Sequence, residues 1–173
     1  MTDYANLDAP EVVLKELVRR EWEDTNVDGI TPEVRHGWLD DEKGEIQVTI
    51  GNPEESPIQG GQSGYAATRG DGSGPVQMMD GTTPVNCWTA RGWTGVNDNG
   101  GNPAKVAWLM QKEVRRILHA HDDGTDADGN ETSLDVLAPL GKRRFVDDHS
   151  DEWDVPILRY RVLAGYGYHV DPP

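Results

Sequence analysis

Few residues in this chain have the type and spacing to do chemistry. The acidic run at 122–129 invites a calcium reading, because an EF-hand loop places acidic ligands at positions 1, 3 and 5, Gly at 6 and Glu at 12. With Gly129 at position 6, Asp126 and Asp128 fall at 3 and 5, but position 1 is Gly124 and position 12 is Asp135. The first ligand is missing and the last has a short carboxylate, so a solvated acidic turn is the plainer reading. His119 and His121 lie two apart at a predicted helix end, so they share no face; His36 and His149 are the other candidate general bases. Ser63, Ser73 and Ser133 lack a nucleophile-elbow context, and no Gly-rich stretch forms a phosphate loop or joins a strand to a helix as GxGxxG. Cys87 falls mid-strand beside Trp88 and reads as a small core residue. These residues predict no catalytic constellation, no bound metal and no cofactor.

What remains is a concentration of positive charge. Lys105, Lys112, Arg115 and Arg116 lie on one predicted helix, and Lys142, Arg143, Arg144, Arg159 and Arg161 on strand candidates near the C-terminus. Together they are nine of the 16 basic residues, set against 31 Asp plus Glu and a net charge of −15. Pairing with the chain's own carboxylates, contact with an acidic partner and contact with nucleic acid all use this chemistry. A surface so acidic repels phosphates except where cations gather.

The elements that position these residues follow from local patterns. Asp8, Pro10 and Glu11 predict a capping box, followed by an apolar stripe at Val13, Leu14, Leu17, Val18 and Trp22. Val34, His36 and Trp38, then Ile46, Val48 and Ile50, alternate as a predicted hairpin. Residues 51–74, rich in Gly, Ser and Pro, show no sustained period and read as a flexible loop or arm. Val76 to Met79 and Val85 to Thr89 predict two strands around a turn at Asp80-Gly81. Asn102 and Pro103 open a second helix, with Val106, Met110, Val114 and Ile117 repeating at helical spacing. Residues 134–140, 144–146 and 158–170 supply the remaining strand candidates. The expected architecture is one α+β domain over residues 1–173, a single antiparallel or mixed sheet with two amphipathic helices on one face and a long extended arm.

Composition narrows the class further. No window approaches the apolar length of a membrane helix, and the acidic N-terminus has no signal core. One cysteine excludes a disulfide framework and a Cys-rich zinc site. Leu, Ile, Val and Phe number 34 of 173 residues, a low content that six Trp and five Tyr offset with buriable area. Asp (19) exceeds Glu (12), and only five basic residues are Lys. This usage resembles proteins of extreme halophiles. In molar salt the Debye length falls to about 3 Å, which screens the self-repulsion of such a surface.

The segments DAPEVVLKELVRREW, PVNCWTA, NPAKVAWLMQKEVRRIL and DVPILRYRVLAGYGYHV, in that order, resemble tail-terminator and tail-completion (neck) proteins of tailed viruses. With the salt-adapted composition, the host would be a haloarchaeon. The resemblance implies a non-enzymatic virion protein, assembled in the host cytoplasm, that forms a homo-oligomeric and usually hexameric ring at the head–tail junction. Its partners would be tail-tube and neck or connector proteins. DNA can pass through such a ring without sequence-specific contact. Arg115, Arg116, Arg159 and Arg161 would then pair with carboxylates across subunit boundaries, with Tyr65 and Arg69 on the arm as further interface candidates. Two other readings are an adaptor or stopper of the neck, and a small halophilic hydrolase using His36 or His149 with a nearby Asp.

Overall fold

The computed structural model describes residues 9–40, 44–57, 65–68, 75–97, 100–147 and 155–170. The first helix, α1 (Pro10–Glu21), buries Val13, Leu14, Leu17 and Val18, the stripe expected from spacing. Its N-cap is Ala9, whose carbonyl accepts from the Val12 and Val13 amides, and no side chain caps it. Asp8 of the expected capping box lies outside the described residues. A short 3-10 turn at Asp24–Val27 follows, and the Trp22 indole donates to the Ile30 carbonyl at 2.9 Å. The second helix, α2 (Pro103–Ala120), starts as its sequence predicts: the Asn102 side chain accepts from the Ala104 and Lys105 amides.

Among the described residues, seven strands form one sheet: β1 (Glu33–His36), β2 (Gln47–Ile50), β3 (Glu54–Pro57), β4 (Tyr65–Thr68), β5 (Pro75–Ala90), β6 (Val136–Asp147) and β7 (Ile157–Val170). The main path runs β1-β2-β5-β7-β6, with β3 and β4 also pairing with β5. Both helices pack on one face, where Val48, Ile50, Val85, Cys87, Tyr160, Val162 and Ala164 meet them as a common core. This is an α+β fold with a mixed sheet.

Four local expectations change. The predicted hairpin of β1 and β2 is a parallel pair, Glu33 opposite Gln47 through His36 opposite Ile50. Gly37, at φ 90°, turns the chain out of β1. Trp38 then packs edge-on against Trp88 at 4.8 Å, and the Asp40 amide and carbonyl bond the Gln47 side chain at 3.0 and 2.7 Å. The connection is therefore anchored across the other face of the sheet before β2 begins. Period-two alternation is the same for either strand direction, so it carried no warning.

The turn expected at Asp80-Gly81 is absent. β5 runs straight through it, because β3 and β7 pair with that stretch on both sides. Gly81 is needed there for space: a Cβ would stand 2.5 Å from the Tyr166 ring. Likewise, the two candidates at 134–140 and 144–146 are one strand, β6, with an irregularity between Pro139 and Lys142. Part of the expected arm is regular too, since residues 54–57 and 65–68 extend β5's other side; residues 58–64 and 69–74 lie outside the described residues.

Candidate functional site

On the face opposite the helices, strand register places two rows across the sheet. One runs Glu33, Gln47, Trp88, Arg159, Phe145; the next runs Arg35, Thr49, Asn86, Arg161, Arg143. The result is a guanidinium–aromatic cluster. The Arg159 guanidinium lies 4.0 Å from the Phe145 ring centre, 5.1 Å from Trp38 and 5.6 Å from Trp88, and Arg161 lies 5.4 Å from Phe145. Planar guanidinium groups stack on such rings while keeping N–H edges for a carboxylate or phosphate. Trp88 is buried beneath, its indole donating to Thr49 Oγ1 at 2.9 Å, whereas Trp38 is 59% exposed. Asn86 Oδ1, Arg161 Nε and Arg35 Nε are buried without a hydrogen-bond partner among the described residues.

The cluster continues around β6, an edge strand. Lys142, Arg143 and Arg144 are exposed, and Arg144 stacks on Tyr160 at 5.0 Å. Behind them Gln111 of α2 donates to the Arg161 and Arg143 carbonyls at 2.8 and 3.4 Å, which fixes the helix against this edge. Arg115 follows Gln111 by one turn on the same side, and Lys112 sits over the Trp108 ring at 4.5 Å. Leu140 and Val146 add exposed apolar surface, Val146 at 70%. Among the described residues, ion pairs engage Arg19, Arg20, Arg35, Lys105 and Arg116, and none engages Lys142, Arg143 or Arg144.

The sequence-named residues divide accordingly. Arg159 and Arg161 meet in the cluster, and Arg115 lies at its helical margin. Arg116 does not join it: it is bound within its own chain by Glu113 and by the Glu21 carbonyl at 2.8 Å. Tyr65 belongs to β4, and Arg69 lies outside the described residues.

The three acidic candidates do not converge. Asp126 accepts from the Asp128 and Asn130 amides, and Asp135 meets His169 Nδ1 at 2.8 Å. Asp128 pairs with Arg20, whose hydrogen bonds hold it below the usual carboxylate range. Burial pushes the Cys87 thiol far up, leaving it a core residue. His121 is buried, with Nε2 3.5 Å from Glu21, and His149 lies outside the described residues.

Sequence reading missed Trp38, Phe145 and Asn86, which only the register brings to the arginines. It also missed Glu55, whose carboxylate accepts from the Tyr166 hydroxyl at 2.6 Å and from that of Tyr168. Burial, reinforced by the hydrogen bond to Glu55, raises the Tyr168 phenol from its ordinary value of about 10 to about 12. The folded state therefore holds this proton more tightly than the unfolded chain does. Its stabilising contribution is complete below pH 10 and is lost as pH rises towards 12. Phenolate absorbance should show a component titrating near pH 12 that Tyr168→Phe removes; a single transition near pH 10 in both proteins would contradict this pairing.

The fold and this surface define an α+β protein with a cationic, aromatic sheet edge. The chain matches no family model, and no curated protein matches it.

Proposed function

We propose that the protein is a non-enzymatic structural subunit of a tailed virus of halophilic archaea, a tail-terminator or tail-completion protein forming a hexameric ring at the head–tail junction. The observation that carries this reading is the edge strand β6, which pairs only with β7 among the described residues. Exposed cations stand there with exposed Leu140 and Val146, and Arg143 borders the guanidinium–aromatic face, on which no helix packs among the described residues, in a chain otherwise dominated by acid. Edges and faces of this kind join subunits through strand addition and buried apolar contact. Arg115, Arg159 and Arg161 supply charge to that contact, and the neighbouring tail-tube and neck proteins are the further partners.

Light scattering after size exclusion in molar salt tests the reading. The expected mass is six times the 19.1 kDa subunit, with binding to isolated tail tubes. A monomer at every concentration, unable to join tubes, would overturn it. The same sample should lose its near-UV tertiary signal on dialysis into dilute buffer as unscreened carboxylates repel one another.

A further inference from the structure

Two stretches on opposite sides of the sheet carry opposite charge. On one side is β6, whose continuous stretch after the irregularity, Lys142 to Asp147, opens with Lys142, Arg143 and Arg144. On the other is β3, Glu54–Pro57, paired with β5 on its inner side only among the described residues. Glu54 and Glu55 are exposed there, and exposed Asp80 lies beside them on β5. With Ser56, Gly81 and Thr82 these three acids line an open recess of about 350 Å³. Cations on an edge strand are a known protection against edge-to-edge pairing. Here they block one pairing in particular. Two β6 strands meeting across a twofold axis would set Lys142, Arg143 and Arg144 against their own copies, and like charges directly opposite are destabilising. An acidic edge meets no such repulsion.

We propose that copies of this chain associate head to tail, with the basic β6 edge of one copy lying along the acidic β3 edge of the next. The sheet then continues from subunit to subunit. Each copy uses one edge as donor and the other as acceptor, so the interface is heterologous and closes as a ring when its rotation permits. The occupant is a second copy because the chain itself carries both complementary edges, on opposite sides of one sheet where they cannot meet. Leu140 and Val146, exposed on β6, become buried in this contact. The inference rests on the ring reading above and names the surfaces that would build the ring.

Charge reversal on each edge tests it in the full-length protein in molar salt, where only charges in contact escape screening. Lys142→Glu with Arg143→Glu makes both edges acidic; Glu54→Lys with Asp80→Lys makes both basic. Each variant alone should associate at least tenfold more weakly than the parent protein. Mixed in equal amounts they should regain its mass, because each now offers the edge the other needs. Near-UV circular dichroism verifies folding, and the neutral variants Arg143→Gln and Glu54→Gln replace any reversal that unfolds. A parent oligomer whose mass neither reversal alters, or variants that stay dissociated on mixing, would overturn the edge pairing while leaving the ring reading intact. A monomeric parent would overturn both.

Discussion

Replacing Trp88 by Ala should destabilise the protein by about 3–5 kcal/mol, the range for large aromatic truncation in a core. Trp88 is among the largest fully buried side chains, although it points to the sheet face away from the helices. Its ring supports Trp38 at 4.8 Å, and its indole N–H occupies Thr49 Oγ1 at 2.9 Å. Truncation would leave a cavity under Trp38 and remove the hydrogen bond together. The anchored connection between β1 and β2 rests on this ring, so β1 should loosen with it. The measurement is the denaturant midpoint in molar salt, with amide exchange along residues 33–36 as the local readout. Trp38→Ala, at an exposed site, should cost much less. Equal losses from both substitutions would show that the ring pair, and not the buried indole, carries the stability.

Removing the Glu113 carboxylate should have the second large effect, about 3 kcal/mol for Glu113→Ala. Its side chain is almost fully buried and pairs with Arg116, and one partner's loss from a buried pair typically costs about 3–5 kcal/mol. Oε1 accepts from Arg116 Nε at 2.9 Å and from the Glu23 amide at 3.3 Å, while Oε2 accepts from Asn26 Nδ2 at 2.9 Å. This one carboxylate joins α2 to the 3-10 turn that follows α1. The lower end of the range applies because the Arg116 side chain is 37% exposed and can rehydrate. Glu113→Gln should lose about half as much, since an amide oxygen still accepts from some of these donors. In the Arg116→Met background, Glu113→Ala should be milder by at least about 1 kcal/mol, the coupling expected of contacting groups. Additive effects would mean that the two side chains act independently.

Much of the fold was legible from local pattern. The stripe Val13, Leu14, Leu17, Val18 and the stripe Val106, Met110, Val114, Ile117 both became buried helix faces. Alternation at Leu158–Ala164 became the inner half of β7, and Asn102 capped α2. Helix hydrogen bonds and caps close within a few residues, so nearby side chains decide them. The guanidinium–aromatic cluster was half legible: its arginines stood out by charge, but their aromatic partners did not. Trp38 lies 121 positions from Arg159, and only the order β2-β5-β7-β6 brings Trp88 and Phe145 to flank it. Glu113 was hidden in another way, since a lone acid in an amphipathic helix is usually a solvated one.

By itself the sequence determined where the two helices form, which of their faces are buried, which segments extend, and that a small core carries a strongly acidic surface. Those outcomes depend on contacts between near neighbours and on average composition. Tertiary structure alone decided that β1 runs parallel to β2, that Asp80-Gly81 continues a strand, and that residues 54–57 and 65–68 pair with β5. It also decided that Arg116 turns inward while Lys142, Arg143 and Arg144 stay on an open edge. The strand pairings are settled by hydrogen bonds between separate segments, and Arg116 is held by the Glu21 carbonyl 95 positions away as well as by Glu113 three positions before it. A strand's direction and neighbours have no local signature, because its hydrogen-bonding groups are satisfied only by another strand.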